Sequence, residues 1–182
     1  MAKYAMVINT KECVRCRTCF VACKVKNGLP VGKKYGTEYH RLTFVEEEIG
    51  KYPNVRRTFY PTHCNHCDKP ACLDSCPVGA IYKAADGRVL TIAEKCIQCG
   101  ACVSACPYDA RFINKEKGCA DHCDYCLNRG TMPACAELCP AQCIYFGDLE
   151  DPNSVVAEMI ASGKAKPLKS ESGTDPQVFY ID

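Results

Sequence analysis

The chain has 182 residues, 47% of them hydrophobic, with 23 Lys and Arg against 21 Asp and Glu and a formal charge of +2. That apolar content excludes a disordered chain and suits one or two compact domains. Eighteen residues are cysteine, a density that marks either a disulfide scaffold or a metal protein. Disulfide scaffolds are mostly short secreted domains, whereas this chain is longer and its start, MAKYAMVINTKEC, lacks the apolar core of a signal peptide.

In chain order, Tyr4 to Ile8 reads as a strand leading into a first cysteine group, Cys13-x2-Cys16-x2-Cys19-x3-Cys23. Arg41 to Ile49 and Asn54 to Thr62 are rich in β-formers around Gly50 and Pro53, which predicts a hairpin insertion. The Arg56-Arg57 pair is internal, with no hydrophobic segment behind it, and reads as part of an ordinary strand. Glu46-Glu47-Glu48 reads as a solvated strand edge or turn. A second group follows, Cys64-x2-Cys67-x4-Cys72-x3-Cys76-Pro77. Ala80 to Lys83 and Arg88 to Ile92 flank Asp86-Gly87, a hairpin turn pair. The third group is Cys96-x2-Cys99-x2-Cys102-x3-Cys106-Pro107, the fourth Cys123-x2-Cys126-x8-Cys135-x3-Cys139-Pro140. Ala110 to Asn114 and Ile144 to Phe146 read as the strands that follow a Cys-Pro. A short helix is expected to start within each group and carry its fourth cysteine. Val155, Val156, Met159 and Ile160 suit a short amphipathic helix capped by Asn153 or Ser154. From Gly163 the chain is polar, which predicts a loosely held tail or an arm along a partner.

The spacing identifies the chemistry. Three cysteines at i, i+3 and i+6 wrap three corners of a cubane from one tight loop, while the fourth points away. The run C-x2-C-x2-C-x3-C-P is that of bacterial two-cluster ferredoxins, whose fourth cysteine ligates the other cluster. The third group matches it letter for letter. The second and fourth carry longer inserts, and the first has Lys24 where proline would stand. Zinc sites pair two C-x2-C units and have no use for a third cysteine at i+6. Sixteen cysteines are thus assigned to four 4Fe–4S clusters, leaving Cys119 and Cys143 as buried or inert thiols, with Cys119 an alternative ligand for the fourth group. Four clusters of about −2 each would take the loaded chain to about −6. Its Lys and Arg therefore read as counter-charge rather than as a nucleic-acid surface. No stretch is apolar enough to span a membrane, and there is no catalytic triad, phosphate loop or flavin fingerprint.

Nearly the whole chain resembles the four-cluster iron–sulfur subunits of complex iron–sulfur molybdoenzymes, on Tyr4-Ala5-Met6-Val7-Ile8, on His63 to Cys72 (HCNHCDKPAC) and on Phe146 to Ser154 (FGDLEDPNS). These are the subunits found in polysulfide, thiosulfate, tetrathionate and dimethyl sulfoxide reductases and in formate-dependent nitrite reduction. The resemblance implies an α+β fold of two ferredoxin-like modules. One comprises residues 1–30 and 110–150, the other 55–109, with a β insertion at 31–54 and a helix and tail at 151–182.

It also implies nested ligand sets. Cys13, Cys16, Cys19 and Cys139 hold one cluster, and Cys23, Cys123, Cys126 and Cys135 a second. Cys64, Cys67, Cys72 and Cys106 hold a third, and Cys76, Cys96, Cys99 and Cys102 a fourth. In the nitrate reductase relative a third-group cysteine is replaced and a 3Fe–4S cluster results; Cys102 stands at that position here, so four 4Fe–4S clusters are expected.

The family role is a non-catalytic electron conductor between a molybdenum- or tungsten-pterin catalytic subunit and a membrane quinol-handling subunit, exported with the catalytic partner to the outer face of the cytoplasmic membrane. A cytoplasmic polyferredoxin serving a hydrogenase or formate-hydrogen system has the same cysteine plan and is the alternative; a self-contained reductase would need an open iron, which four full thiolate sets leave no room for. His63, His66 and His122 neighbour cysteines and are expected to hydrogen-bond around the sites or lie at the surface. Arg15 and Arg17, inside the first ligand loop, are expected to raise a cluster potential, to dock an acidic partner or to face solvent.

Overall fold

The computed structural model describes residues 2–130 and 132–182. Its centre is β1 (Tyr4–Asn9), whose run Ala5-Met6-Val7-Ile8 is fully buried. A strand apolar on both faces must be covered on both. Met6 and Ile8 face a cysteine-rich core with Tyr125, Ile144, Val178 and Tyr180, while Ala5 and Val7 pack with Val156 and Ala165 on the other side.

The chain continues through α1 (Thr18–Asn27), the small ribbon β2 (Lys33–Lys34) and β3 (Thr37–Glu38), and the long hairpin β4 (Leu42–Ile49) and β5 (Arg56–His63). Next come α2 (Ala71–Asp74), the hairpin β6 (Ile81–Lys83) and β7 (Val89–Thr91), α3 (Ala101–Ser104) and the hairpin β8 (Arg111–Asn114) and β9 (Cys119–His122). The chain ends with α4 (Ala134–Glu137), β10 (Ile144–Asp148), α5 (Val155–Ala161), β11 (Lys166–Pro167) and β12 (Val178–Ile181). The expected strands and the insertion hairpin are present, with Leu42 opposite His63 and Ile49 opposite Arg56. No helix among the described residues is long and apolar enough to cross a membrane.

One four-stranded sheet, in the order β10-β1-β12-β11, ties the ends of the chain together. β10 runs antiparallel to β1, with Ile8 opposite Ile144, and β12 runs parallel to it, with Met6 opposite Val178. α5 lies against β10 because Gly147 leaves room. A Cβ there would stand 2.7 Å from Ser154 Oγ and 3.3 Å from Val156 Cγ2. Ser154 caps this helix, its Oγ accepting from the Ala157 N–H at 3.4 Å.

The expectation of a loose carboxy-terminal tail is overturned. Backbone hydrogen bonds from Asp68 and Lys69 to Asp175 and Thr174, and from Gln177 to Asn65, strap it along the second cysteine group. β12 then fills a central place in the sheet. Its alternating Val178 and Tyr180 supply apolar side chains to the core, which repays the entropy of ordering a polar approach segment.

A second correction concerns the helices. α2, α3 and α4 carry the third cysteine of their groups, Cys72, Cys102 and Cys135; the fourth lies two residues beyond each helix end. Only α1 carries both, as Cys19 and Cys23. Lys24 explains the difference. Proline after the fourth cysteine stops the other helices, and a left-handed residue follows each Cys-Pro: Gly79, Asp109 and Gln142. With Lys24 in that place α1 continues to Asn27 and closes on left-handed Gly28.

Tyr180 joins the tail to the insertion. It is buried, its hydroxyl donates to the Pro61 carbonyl at 3.2 Å, and its ring meets Tyr60 edge-on at 5.3 Å between centroids. Tyr180→Ala is expected to cost about 3–5 kcal/mol, the usual range for truncating a buried aromatic, read as a lower urea midpoint for loss of visible absorbance. An unchanged midpoint would show that the strand contributes nothing to the sheet.

Candidate iron–sulfur sites

The residue before the second cysteine of every group adopts a left-handed backbone: Arg15 at φ 60°, His66 at 44°, Gln98 at 57° and Tyr125 at 57°. None is glycine, so each costs about 1 kcal/mol or more of strain. The recurrence at one position in four unrelated local sequences identifies its cause as the turn that brings the first two cysteines around a common centre. Groups one and three share a further left-handed position two residues before the third cysteine, Arg17 and Gly100, where their helices begin. Groups two and four instead enter α2 and α4 through extended prolines, Pro70 and Pro133.

These turns bring thiols from separate groups together. None of the eighteen cysteines forms a disulfide. Cys76, Cys96, Cys99 and Cys102 line one cavity, and Cys23, Cys123, Cys126 and Cys135 line another. Burial, then the neighbouring Cys13, Cys139 and Cys16, pushes the Cys19 thiol up to about 12. Cys64 is pushed up to about 12 by burial and by Cys72 and Cys106, and Cys67 rises for the same reasons. Among the described residues no three His, Cys, Asp or Glu side chains converge closely enough for a single metal ion. The all-sulfur donor sets, each spread around a shared space, fit a cubane that four thiolates hold at its corners.

The four sets that the family resemblance implies are linked in turn by helices and neighbouring thiols. α1 links the first two sets through Cys19 and Cys23, and α4 does so through Cys135 with Cys139 just beyond it. Cys64 helps raise Cys123, relating the second set to the third. α2 and α3 relate the third set to the fourth in the same way, through Cys72 with Cys76 and Cys102 with Cys106. Cys16, in the first set, and Cys99, in the last, are the only exposed cysteines, while all four of the second set are buried.

Several donors point at sulfur. Backbone N–H groups of Ala80, Ala120 and Tyr125 donate to Cys76, Cys96 and Cys123 Sγ at 3.2, 3.4 and 3.4 Å. Asn27 Nδ2 reaches Cys23 and Cys126 Sγ at 3.5 and 3.7 Å, bridging two members of one set. Such donors favour the more negative form of a thiolate-bound centre and raise its potential.

His63, His66 and His122 are buried rather than at the surface; His63 Nδ1 lies 2.8 Å from the Cys64 carbonyl, and the other two hold strand β7. The Val89 N–H donates to His66 Nδ1 at 3.0 Å, and His122 Nε2 donates to the Val89 carbonyl at 2.7 Å. Burial first keeps both rings neutral, His122 down at about 3. Arg15 and Arg17 neither dangle nor stand free. Arg17 pairs with Glu46 at 2.6 Å and lies over Phe44, and Arg15 donates to the Arg57 carbonyl at 2.9 Å. They clamp the β4–β5 hairpin onto the first ligand loop, so Glu46 is an ion-pair partner and not merely a solvated edge.

Cys143 is buried with Sγ 3.6 Å from Cys139 Sγ; burial and then Cys139 push its thiol up. Cys119 is buried too, and the cysteine that raises it is Cys96 of the third group, not a member of the fourth. Sequence spacing alone missed Tyr125, fully buried, with an unpartnered hydroxyl, and raised by burial and then by Cys123 and Cys64 of two different sets.

A charge network backs the second set. Arg41 pairs with Asp121 at 2.6 Å and with Asp124 at 2.9 Å, and donates to Asn27 Oδ1 at 2.7 Å. Arg129 and Lys117 add cations to the same carboxylates. Burial alone would raise Asp121, but Arg41 and Lys117 hold it down at about 2. Arg41→Ala should remove the buried cation that joins the two carboxylates, leaving them to the more exposed Lys117 and Arg129, and cost about 1–3 kcal/mol, measured as a shift in the urea midpoint. A loss within about 0.5 kcal/mol, as for an ordinary surface substitution, would show that the network is not a unit.

Comparison with known proteins agrees with this chemistry. Residues 55–149 match the family model described as a 4Fe-4S dicluster domain. A tetrathionate reductase subunit of Salmonella typhimurium is 40% identical over 98% of this chain and 72% of its own length. A selenate reductase subunit of Mesobacillus selenatarsenatis is 37% identical over the same shares, 98% and 72%. The arsenate respiratory reductase iron–sulfur subunit of a Shewanella species is 32% identical over 98% of this chain and 96% of its own. The chain belongs to this family of 4Fe–4S iron–sulfur subunits of reductase complexes, the non-catalytic subunits that transfer electrons.

Proposed function

We propose that the chain holds four 4Fe–4S clusters and conducts electrons between a molybdenum- or tungsten-pterin catalytic subunit and a membrane quinol-handling subunit. The ligands are Cys13, Cys16, Cys19 and Cys139 at one end, then Cys23, Cys123, Cys126 and Cys135, then Cys64, Cys67, Cys72 and Cys106, and Cys76, Cys96, Cys99 and Cys102 at the other end. Bound cubanes supply one-electron redox chemistry. The chain's own residues supply position, shielding and charge.

The observation that carries this reading is that the two exposed cysteines, Cys16 and Cys99, fall in the two end sets, while all four cysteines of the second set are buried. A conductor between two partners needs two accessible ends and a protected middle. Dense packing around Tyr125 and the Arg41 network keeps water from the interior sets. In this assignment residues 1–30 and 110–150 carry the first two sets and 55–109 supplies all the cysteines of the other two. The β8–β9 hairpin also packs beside the second half, where Ala120 and Ile113 join Cys72 and Cys102. By family analogy the set containing Cys13 stands beside the pterin and the set containing Cys99 at the quinol end. The same analogy puts the subunit on the outer face of the cytoplasmic membrane, exported folded with its catalytic partner after cluster loading in a reducing compartment.

Single-thiolate variants of the anaerobically isolated complex test the order. Cys102→Ser should damage the last cluster, leave the first two assembled and abolish quinol-linked turnover. A dye that reduces the catalytic subunit directly should still support it. Cys119→Ala and Cys143→Ala should keep the full iron content. Quinol-linked turnover surviving a confirmed loss of the Cys102 cluster would contradict the order. Co-purification with a hydrogenase in place of a pterin subunit would favour the polyferredoxin alternative.

A further inference from the structure

Arg111 opens β8 and is 4% exposed. Ile113, two residues along and so on the same face of the strand, lines the cavity of Cys76, Cys96, Cys99 and Cys102, as does Thr91. Arg111 Nη1 donates to Thr91 Oγ1 at 3.2 Å, while its Nε and Nη2 have no hydrogen-bond partner. Guanidinium is not deprotonated in proteins, so a full charge with free donors is buried here.

The other buried or half-buried cations near the sites are paired with carboxylates. Lys83 pairs with Asp68 at 2.9 Å, Arg88 with Asp86 at 2.8 Å, Arg41 with Asp121 and Asp124, and Arg129 with Asp124. Among the described residues Arg111 forms no such pair. A buried charge without a counter-charge is costly, and the acidic groups that face this one are thiols. Its thiol neighbours are Cys64 and Cys72 of the third set and Cys102 of the fourth.

We propose that Arg111 is a positioning residue, the buried counter-cation shared by the third and fourth cluster sites, and that it sets their reduction potentials. This rests on the ligand sets of the proposed function. Reduction adds a negative charge, which a fixed cation nearby stabilises more strongly than the oxidised form. The two sites of the second half are therefore held at higher potential together. In the first half the buried cation beside the ligands, Arg41, is instead paired with its own aspartates, Asp121 and Asp124.

The test is an EPR-monitored redox titration of the anaerobically purified, cluster-loaded protein, with iron content measured for each sample. Arg111→Gln should lower the reduction equilibrium constant of two of the four clusters at least tenfold, about 59 mV for a one-electron couple, and leave the other two unmoved. Arg111→Lys, which keeps the charge, should stay within about threefold of the parent protein. Loss of two clusters in Arg111→Gln, with Arg111→Lys loaded at parent potentials, would equally support a required positive charge. Unchanged potentials in a loaded Arg111→Gln protein, or the same shift or loss in both variants, would overturn the proposal. A parent protein without clusters in its second half would overturn the ligand assignment itself, a failure visible before any Arg111 variant is compared.

Discussion

Crowded thiols are the constraint on which this structure depends. An ionised thiolate is disfavoured by burial and by its neighbours, and here burial and neighbouring cysteines together push thiols such as Cys19, Cys23 and Cys64 up to about 12. Such an arrangement becomes favourable when a metal centre takes up the negative charge, because ligation requires the deprotonated form and couples metal binding to proton release and folding. The left-handed turns at Arg15, His66, Gln98 and Tyr125 are strained backbone. They persist because they aim sulfur at a common centre, so strain and thiol crowding have the same purpose.

Around that constraint the rest of the chain is support. Two helices face each other in each half, α1 with α4 and α2 with α3, and in the proposed ligand sets each pair exchanges a cysteine between neighbouring sites. The sheet built on β1 joins the halves by bringing β10 and the distant β12 to the amino-terminal strand. Charge is handled differently in the two halves. Arg41, Lys117 and Arg129 pair with Asp121 and Asp124, whereas among the described residues Arg111 has no carboxylate partner. Fixed charge at chosen points shifts the potential of a nearby cluster without altering a ligand.

Much of this was legible in the sequence, because cysteine spacing is a local signal. The Cys-Pro turns, the strand at Tyr4 and the hairpins around Gly50 and Asp86-Gly87 also follow from neighbours a few residues apart. What was not legible depended on distant partners. β9 is Cys-Ala-Asp-His, a sequence with no strand pattern, and it forms because β8 pairs with it and Asp121 meets Arg41. β12 follows a long polar stretch that suggested a tail; its alternating apolar residues gain a place only when β1 is present beside them. Lys24 looked like a minor departure from the Cys-Pro pattern, yet it lengthens α1 and places Asn27 on two sulfurs. Arg111 looked like any strand residue, since burial and the absence of a carboxylate partner are properties of the fold alone.

If sixteen thiolates in four sets hold four cubanes, native mass spectrometry of the chain isolated without oxygen will show a dominant species heavier than the 20.1 kDa polypeptide by four Fe4S4 units, with no zinc adduct. A dominant species carrying two or three clusters after full anaerobic loading, or one carrying zinc in their place, would contradict that assignment.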